Sequence, residues 1–458
     1  MSRVGWKPYA AYMLFLCIAL AMAVLSACDD STAADADEPT TSLQSSNSSS
    51  KKSSSSNKKS SSSKNAYPES FKPNDKEYPY ANIPRIVIYT ENQQKIKDRE
   101  TEIPAKLQIW GKKEAESEIL DLTIRGRGNT SWGMPKKSYK IEFAKKQSML
   151  GMPKDRDWAL IANYADKTLM RNFIAYRLST ALGAYYAPRC EFAELYLNGE
   201  YLGVYLMTET IKIGKNRVNI PEDEKSYVVE FDAKYRENEQ VVFSDIITEK
   251  GVGKPFRIHD PKKASKSSLD TIQKHIEAFE SFLKSVKYKK DNGLAEWVDI
   301  DESIKHYWVQ EFSKNPDARF YTSVYFTWVK GKKIKMGPVW DFDLAFGNNS
   351  DKSVIDVENW LVKNSYWNLY LEKDSVYSAR KKLIWNENKK KITAMLDTVE
   401  NCRTKLRSVA KNNFKRWNIL GEVGGRFNKS YVSYDEAVDD LKRWIKERTF
   451  WIDCQMQN

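Results

Sequence analysis

The chain of 458 residues is 29% charged and 41% hydrophobic, with a formal net charge of +13. Its length allows two or three domains with large cores. The basic balance suits anionic ligands or a membrane surface, but no recognised nucleic-acid motif accompanies it, so we expect no nucleic-acid partner. Three histidines and five cysteines without metal-ligand spacing argue against a histidine triad, a zinc site and a disulfide scaffold. Cys402 and Cys454 can still either pair or remain buried thiols.

The N-terminal segment, 1–27, is typical of a bacterial lipoprotein signal peptide. Two basic residues precede an apolar run at 9–24, and the small-residue sequence LSAC follows at 25–28. Cleavage after Ala27 would leave Cys28 lipidated and the mature chain anchored to a membrane. A transmembrane anchor is the alternative, but the run is barely long enough to span a bilayer. The sequence therefore predicts an extracytoplasmic protein, lipid-anchored to the inner or outer membrane of the cell envelope.

Residues 28–66 are predicted to form a disordered tether. They are mostly Ser, Lys, Asn, Asp and Ala, and lysine–serine blocks fill 51–64. With almost no apolar side chains, this segment cannot bury enough surface to fold. Its simplest interpretation is a solvated spacer off the membrane.

Residues 67–215 are predicted to be β-rich. Short runs of β-branched and apolar residues, separated by charged or proline-marked turns, indicate strands at 83–90, 103–110, 119–125 and 138–143. An Asn-Gly turn at 198–199 joins two further strands in a hairpin. A helical period of apolar residues occupies 166–182.

Residues 216–458 are predicted to be mainly helical. Amphipathic patterns indicate helices at 268–286, 301–313, 379–396, 399–414 and 434–451. A β-hairpin interrupts them, with strands at 321–329 and 333–339. The two parts together predict an α+β fold without internal repeats.

The hairpin is followed by two acids, Asp341 and Asp343. In an extended backbone both carboxylates project from one face, with apolar neighbours on the other. Adjacent carboxylates repel unless a cation lies between them, so the pattern favours Mg²⁺ or Mn²⁺ at this point. The alternative is an acidic surface strand, although the apolar neighbours indicate packing into the fold.

Asp317 follows a predicted helix, in the turn Asn-Pro-Asp at 315–317. Alone, such an aspartate is usually a turn or capping residue. Its position one hairpin before the acidic pair matches protein kinases, in which one carboxylate positions the substrate hydroxyl and a later one holds Mg²⁺ on the nucleotide. This arrangement makes phosphoryl transfer the leading hypothesis.

A glycine-bearing loop, RGRGNTSW at 125–132, precedes the strand that carries Lys140 on its polar face. Arg127 and Asn129 can cover phosphates or merely shape the turn. Lys140 can reach nucleotide phosphates as a point charge or be an exposed strand lysine. The loop is neither a Walker A motif nor a Gly-x-Gly-x-x-Gly sequence.

Aromatic residues are plentiful, with 14 Trp and 25 Tyr. Ring stacking on sugars is one use for them, which would make the chain a polysaccharide-binding module. Most lie at apolar strand and helix positions, which favours packing in the core.

Taken together, these segments resemble the CotH-like spore-coat kinase family of atypical protein kinases. The resemblance extends from about residue 83 to about 451 and is carried by RGRGNTSW at 125–132, PKKSYK at 135–140, WALIAN at 158–163, YLNGEYLGVY at 196–205, NPD at 315–317 and PVWDFDLAFG at 338–347.

The resemblance implies a two-lobed, kinase-like fold that uses ATP with Mg²⁺ (or Mn²⁺) and transfers phosphate to serine in basic, Ser-rich segments, either of another protein or of its own tether. By position, Asp317 is implied to be catalytic and Asp341 a metal ligand, with Asp343 as a second ligand and Lys140 on the phosphates. Ordinary kinases carry an asparagine five residues after the catalytic aspartate, where this chain has Thr322. The alternative to an enzyme is a non-catalytic surface lipoprotein that binds polysaccharide or has a structural role in the envelope.

Overall fold

A computed structural model describes residues 66–249, 251–285, 293–425 and 427–457. The predicted signal peptide, the lipidation site Cys28 and nearly all of the predicted tether lie outside these ranges. The described residues belong to one compact unit. None of the helices within the described ranges is long and apolar enough to cross a membrane.

The N-terminal part is a closed barrel with strand order β1-β2-β3-β4-β5-β7-β6. Its strands are β1 (Arg85–Thr90), β2 (Ile103–Trp110), β3 (Leu120–Arg127), β4 (Ser138–Gln147), β5 (Asp155–Ile161), β6 (Cys190–Leu197) and β7 (Glu200–Glu209). Strands β1 and β6 are parallel, and the other neighbours are antiparallel. The β-rich character predicted for this part of the chain is confirmed.

Strand β4 shows why the barrel forms from this sequence. Its alternate residues Tyr139, Ile141 and Phe143 are buried in the cluster that fills the barrel, as the period of two requires. Lys140 and Glu142 point the other way and remain partly exposed. The polar face of β4 is therefore available to line a site outside the barrel.

Helices dominate the C-terminal part and pack against the barrel. Helix α1 (Arg171–Ala181) lies between β5 and β6, and the helices of the C-terminal part are α2 (Lys266–Lys284), α3 (Leu294–Trp297), α4 (Ile300–Ser313), α5 (Lys352–Ile355), α6 (Tyr366–Leu371), α7 (Ser375–Thr393), α8 (Met395–Arg416) and α9 (Tyr434–Gln457). Helix α1 begins later than the pattern at 166–182 predicts. The carboxylate of Asp166 accepts hydrogen bonds from the backbone N–H groups of Thr168 and Arg171, so it closes the turn before the helix.

A second sheet, in the order β12-β11-β8-β10-β9, lies within the part predicted to be mainly helical. Its strands are β8 (Ser226–Phe231), β9 (Val241–Glu249), β10 (Val252–Asp260), β11 (Val324–Val329) and β12 (Lys335–Met336). The sequence analysis found β11 and β12, with bounds longer than those observed, but no strand between 216 and 267. Strand β8 is buried at every position, so it lacks the alternation on which the other predictions depended.

Aromatic side chains fill the main core. Trp158, Trp308, Trp367 and Trp385 are among the largest fully buried side chains. Rings stack on one another, as Trp328 does between Tyr227 and His275. For these residues, core packing is the observed role.

The cysteines of the folded part are unpaired. Cys190, Cys402 and Cys454 are all free thiols, and the first two are buried. The sequence left open whether Cys402 and Cys454 pair or remain buried thiols; in the structure both are free, and only Cys402 is buried.

Candidate active site

A cavity of about 570 Å³ lies where β3, β4 and β5 of the barrel face the second sheet and the segment after β12. The residues singled out as site candidates all line it: Arg127, Asn129, Lys140, Asp317, Asp341 and Asp343. They come from parts of the chain up to about 200 residues apart, so folding collects them. Their individual roles stay predictions.

The alternating sequence predicted that the two acids after β12 lie on an extended strand, but the structure shows that they do not. Strand β12 ends at Met336, and Asp341 adopts a φ of 63°, which is uncommon for a residue with a side chain and costs of order 1 kcal/mol. Side chains replace the missing sheet partners. Asn172 accepts a hydrogen bond from the N–H of Phe342 at 2.7 Å, and Asn315 donates one to the carbonyl of Asp341 at 3.1 Å.

The carboxylates of Asp341 and Asp343 nevertheless lie close enough to affect each other's ionisation. Burial raises the pKa of Asp343 well above its usual range, and the charges of Asp341 and Asp317 raise it further. Burial also raises the pKa of Asp341, while the guanidinium of Arg127 partly offsets this effect. The site thus places carboxylates so close together that a proton or a cation is needed to offset their repulsion.

These acids fit a divalent cation of the Mg²⁺ type. Mg²⁺ usually takes only one or two carboxylates and completes its shell with water and substrate phosphates. Within the described ranges, no group of three or more Asp, Glu, His and Cys residues is placed to hold a metal alone. The pair Asp341 and Asp343 would therefore hold such an ion together with a phosphate ligand, and the ion would neutralise charge on that ligand.

Arg127, at the end of β3, faces the acidic pair from the barrel. Its guanidinium carbon lies 5.0 Å from the centre of the Trp340 ring, and its charge acts on Asp341. Its pKa is lowered by burial. A planar guanidinium held by an aromatic ring can bind phosphate through two parallel hydrogen bonds.

Lys140 is held by carboxylates of two neighbouring strands. Its Nζ lies 3.0 Å from Asp157 and 3.1 Å from Glu142. Asp157 also binds Lys212 at 2.7 Å. Burial opposes ionisation of Asp157, but Lys212 and Lys140 outweigh it and hold its pKa below the usual range. The partners of Lys140, which the sequence left unassigned, are therefore Glu142 on its own strand β4 and Asp157 on β5.

Asp317 lies in a short 3₁₀ turn, Pro316–Ala318, and is partly exposed to the cavity. Its N–H donates to the side-chain oxygen of Asn315 at 3.2 Å. Asn129, at the opposite rim, accepts a hydrogen bond from Arg99 at 2.9 Å. That contact favours the turn-shaping alternative for Asn129, although its side chain still lines the cavity.

The second sheet adds residues that the sequence analysis missed. Buried Glu230 and Asp232 come from the end of β8, and Lys234 from the loop that follows. Arg257 of β10 pairs with Glu230 and holds its pKa at about 2 in spite of burial. Thr322, at the position of the expected asparagine, donates to Asp232 at 2.9 Å. Acids that end a fully buried strand, as in SYVVEFD at 226–232, were the available signal.

The comparisons with known proteins agree with the resemblance described above. A family model described as CotH kinase protein matches residues 124–452. The inner spore coat protein H of Bacillus subtilis (strain 168) is 24% identical over 250 residues, which cover 54% of this chain and 63% of that protein. The chain thus spans less than two thirds of the length of this curated relative. Because the family model covers most of the folded part, the chain belongs to the CotH kinase family.

Proposed function

We propose that the protein is a phosphotransferase that moves the terminal phosphate of ATP to serine, with Mg²⁺ or Mn²⁺ as cofactor. The observation that carries this proposal is the convergence of Asp317, Asp341 and Asp343 in one cavity with Arg127 and Lys140. Membership of the CotH kinase family supports it. The proposal includes a two-lobed, kinase-like arrangement, with one lobe at 67–215 and the other at 216–458.

Each residue has a distinct role in this proposal. Asp317 orients the serine hydroxyl and accepts its proton, while Asp341 and Asp343 supply ligands for the cation. Lys140 and Arg127 bind phosphate oxygens. The rate enhancement comes from positioning and charge neutralisation, because phosphoryl transfer asks for little covalent chemistry from the protein.

We further propose basic, Ser-rich segments as acceptors, including the chain's own tether, and attachment to the cell envelope through Cys28. The relative's printed name places that protein in a spore coat, which is compatible with work at a surface. The lysine–serine blocks of the tether are of this basic, Ser-rich kind, and we propose serines within 42–63 as acceptors, in the same or a neighbouring copy.

The test is phosphate transfer by the full-length chain in detergent, with Mg²⁺, γ-labelled ATP and a Lys-Ser peptide. Asp317→Asn and Asp341→Asn should each lower incorporation by at least 100-fold, because each removes a charge that the transferring group requires. Asp121→Asn is the matched control, since Asp121 is exposed and pairs with Lys106 on the barrel surface. Unchanged labelling in both variants would overturn the proposal.

A protein that neither labels any acceptor nor gains thermal stability from Mg·ATP would be a non-catalytic module. Thermal stabilisation by cell-wall oligosaccharides would then favour the polysaccharide-binding alternative, and a response to neither ligand would favour a structural envelope role.

A further inference from the structure

The cations around the cavity differ in whether they have a carboxylate partner. Five of the nine lysines and arginines that line it form ion pairs within the described part of the chain, namely Arg125 with Glu102, Lys140 with Asp157, Lys212 with Asp157, Arg236 with Glu100 and Arg257 with Glu230. The other four, among them Arg127 and Lys234, have no such partner among the described residues. Lys234 also lines the cavity and is only partly exposed. Among the described residues, no carboxylate lies within ion-pair distance of its ammonium group. Its charge is therefore available to a ligand.

Lys234 is fixed beside the segment that carries Asp317. Its Nζ lies 5.1 Å from the centre of the Tyr321 ring. The neighbouring Ala233 donates its N–H to the carbonyl of Tyr321 at 2.8 Å, and Tyr321 donates to the carbonyl of Asp317 at 3.0 Å. A cation–π contact and two backbone hydrogen bonds thus place this lysine next to the proposed catalytic turn.

The base of the same loop is anchored as well. Asp232 accepts hydrogen bonds from the hydroxyl of Thr322 and from the backbone N–H of Lys234, both at 2.9 Å. Thr322 occupies the position at which ordinary kinases have an asparagine ligand. Here it serves to hold the loop that presents Lys234.

Lys234 also lines the cavity that holds the proposed metal ligand Asp341. Its charge, like that of Arg127, acts on Asp341. Arg127 comes from β3 of the barrel and Lys234 from the loop after β8, so two independent elements direct a cation at one carboxylate. Backbone hydrogen bonds thus connect the loop of Lys234 to the turn of Asp317, which would hold the acceptor, and Lys234 lines the same cavity as Asp341, which would hold the phosphates.

We propose that Lys234 binds the terminal phosphate of the nucleotide and follows it during transfer. This inference rests on the proposed function and names a phosphate-binding residue for it. As the serine oxygen bonds to phosphorus, the bond from phosphorus to the bridging oxygen of the leaving ADP breaks, and the serine proton passes to Asp317. Lys234 neutralises the charge on the moving group, whereas Lys140 contacts the phosphates that remain on ADP.

The test compares the affinity of full-length protein for Mg·ATP and Mg·ADP by titration calorimetry. Lys234→Met should weaken ATP binding by about 10-fold or more and ADP binding by less than about 2-fold, because only ATP carries the terminal phosphate. Lys234→Arg, which keeps the charge, should retain most of the ATP affinity. Lys373→Met is the matched control, since Lys373 lies at 5.0 Å over Tyr370 and is outside the cavity.

The outcomes separate the inference from the function on which it rests. A wild-type protein that binds both nucleotides, with equal losses for ATP and ADP in Lys234→Met, would overturn the inference alone and assign a structural role to Lys234. A wild-type protein that binds neither nucleotide would overturn the proposed function and the inference together. Melting temperatures of the two Met variants show whether either variant is merely unstable.

Discussion

Asn315 donates a hydrogen bond from its side-chain nitrogen to the backbone carbonyl of Asp341, at 3.1 Å. The side-chain oxygen of the same residue accepts the N–H of Asp317 at 3.2 Å. One buried amide therefore connects the turn of the proposed catalytic aspartate with the segment of the proposed metal ligand. Its geometry fixes the relative positions of two acids that are 24 residues apart in the sequence.

Replacing Asn315 should impair both stability and turnover. Asn315→Ala leaves buried polar groups without partners, which costs roughly 1–3 kcal/mol of unfolding free energy, and it loosens Asp317 relative to Asp341. We expect kcat to fall by at least 10-fold with a smaller change in the KM for ATP, measured by peptide phosphorylation and urea denaturation. Asn216→Ala, which removes an exposed hydrogen bond from the Asn216 side chain to the carbonyl of Lys154, should change neither stability nor kcat. Equal effects of the two variants would contradict the bridging role.

The acidic pair should make the protein respond to divalent cations. Without a cation, the raised pKa values of Asp341 and Asp343 mean that the folded protein binds more protons than the unfolded chain. Stability is then greatest below the ordinary carboxyl range and falls as the pH rises towards the raised values.

Asp343→Asn removes one member of this pair. At neutral pH in EDTA, the variant should be more stable than wild type by roughly 1–3 kcal/mol, because the repulsion is relieved. It should also lose most of the stabilisation that Mg²⁺ with ATP gives to wild type. The measurement is thermal unfolding with and without Mg·ATP, with Asp121→Asn as control. A variant less stable than wild type in EDTA would contradict this account.

A second pH effect is expected at the junction of the barrel with α8. Glu194 is fully buried, and burial raises its pKa to about 7, although hydrogen bonds from Tyr201 and Asn412 partly counter the effect. The unfolded chain titrates near the usual value of 4.5. The folded state therefore holds the proton more tightly, and stability decreases as the pH rises from about 4.5 to about 7.

Glu194→Gln should flatten that part of the pH profile. Between pH 5 and 7.5, wild type should lose about 1–3 kcal/mol more unfolding free energy than the variant, measured by urea denaturation at a series of pH values. Glu222→Gln, at an exposed position, should follow the wild-type curve. Parallel curves for wild type and Glu194→Gln would show that Glu194 does not titrate in this window.

The sequence predicted six of the seven barrel strands, β1 to β4 from their β-branched and apolar runs and β6 and β7 from the Asn-Gly turn, but it predicted neither β5 nor closure into a barrel. In β4 the buried and exposed side chains follow the period of two, and the pattern needs no knowledge of the partner strand. Strand β8 shows no such alternation, because the side chains on both of its faces are buried. The sheet around β8 was therefore missed, together with Asp232 and Lys234 at its end.

The site was predictable in composition but not in geometry. Asp317 and the acidic pair could be found from their order along the chain. The left-handed backbone of Asp341 could not, because it depends on Asn172, which is 170 residues away from the N–H of Phe342 that it binds. The contact between Thr322 and Asp232 likewise spans 90 residues. Long-range polar contacts of this kind leave no periodic signal in a single sequence.

The last prediction concerns the Lys140–Asp157 pair and distinguishes the role of Lys140 from that of Lys234. If Lys140 contacts the phosphates that ATP and ADP share, Lys140→Met should weaken both nucleotides alike, by about 10-fold or more. Lys234→Met should affect ATP alone. Lys106→Met removes a comparable ion pair with Asp121 on the barrel surface and should leave both affinities unchanged. Calorimetric titration of the three variants with Mg·ADP and Mg·ATP measures the difference. Full ADP affinity in Lys140→Met would assign Lys140 to the structural network of Asp157 and Lys212. Arg127 would then be the barrel cation left to bind the phosphates, because it has no carboxylate partner at ion-pair distance among the described residues.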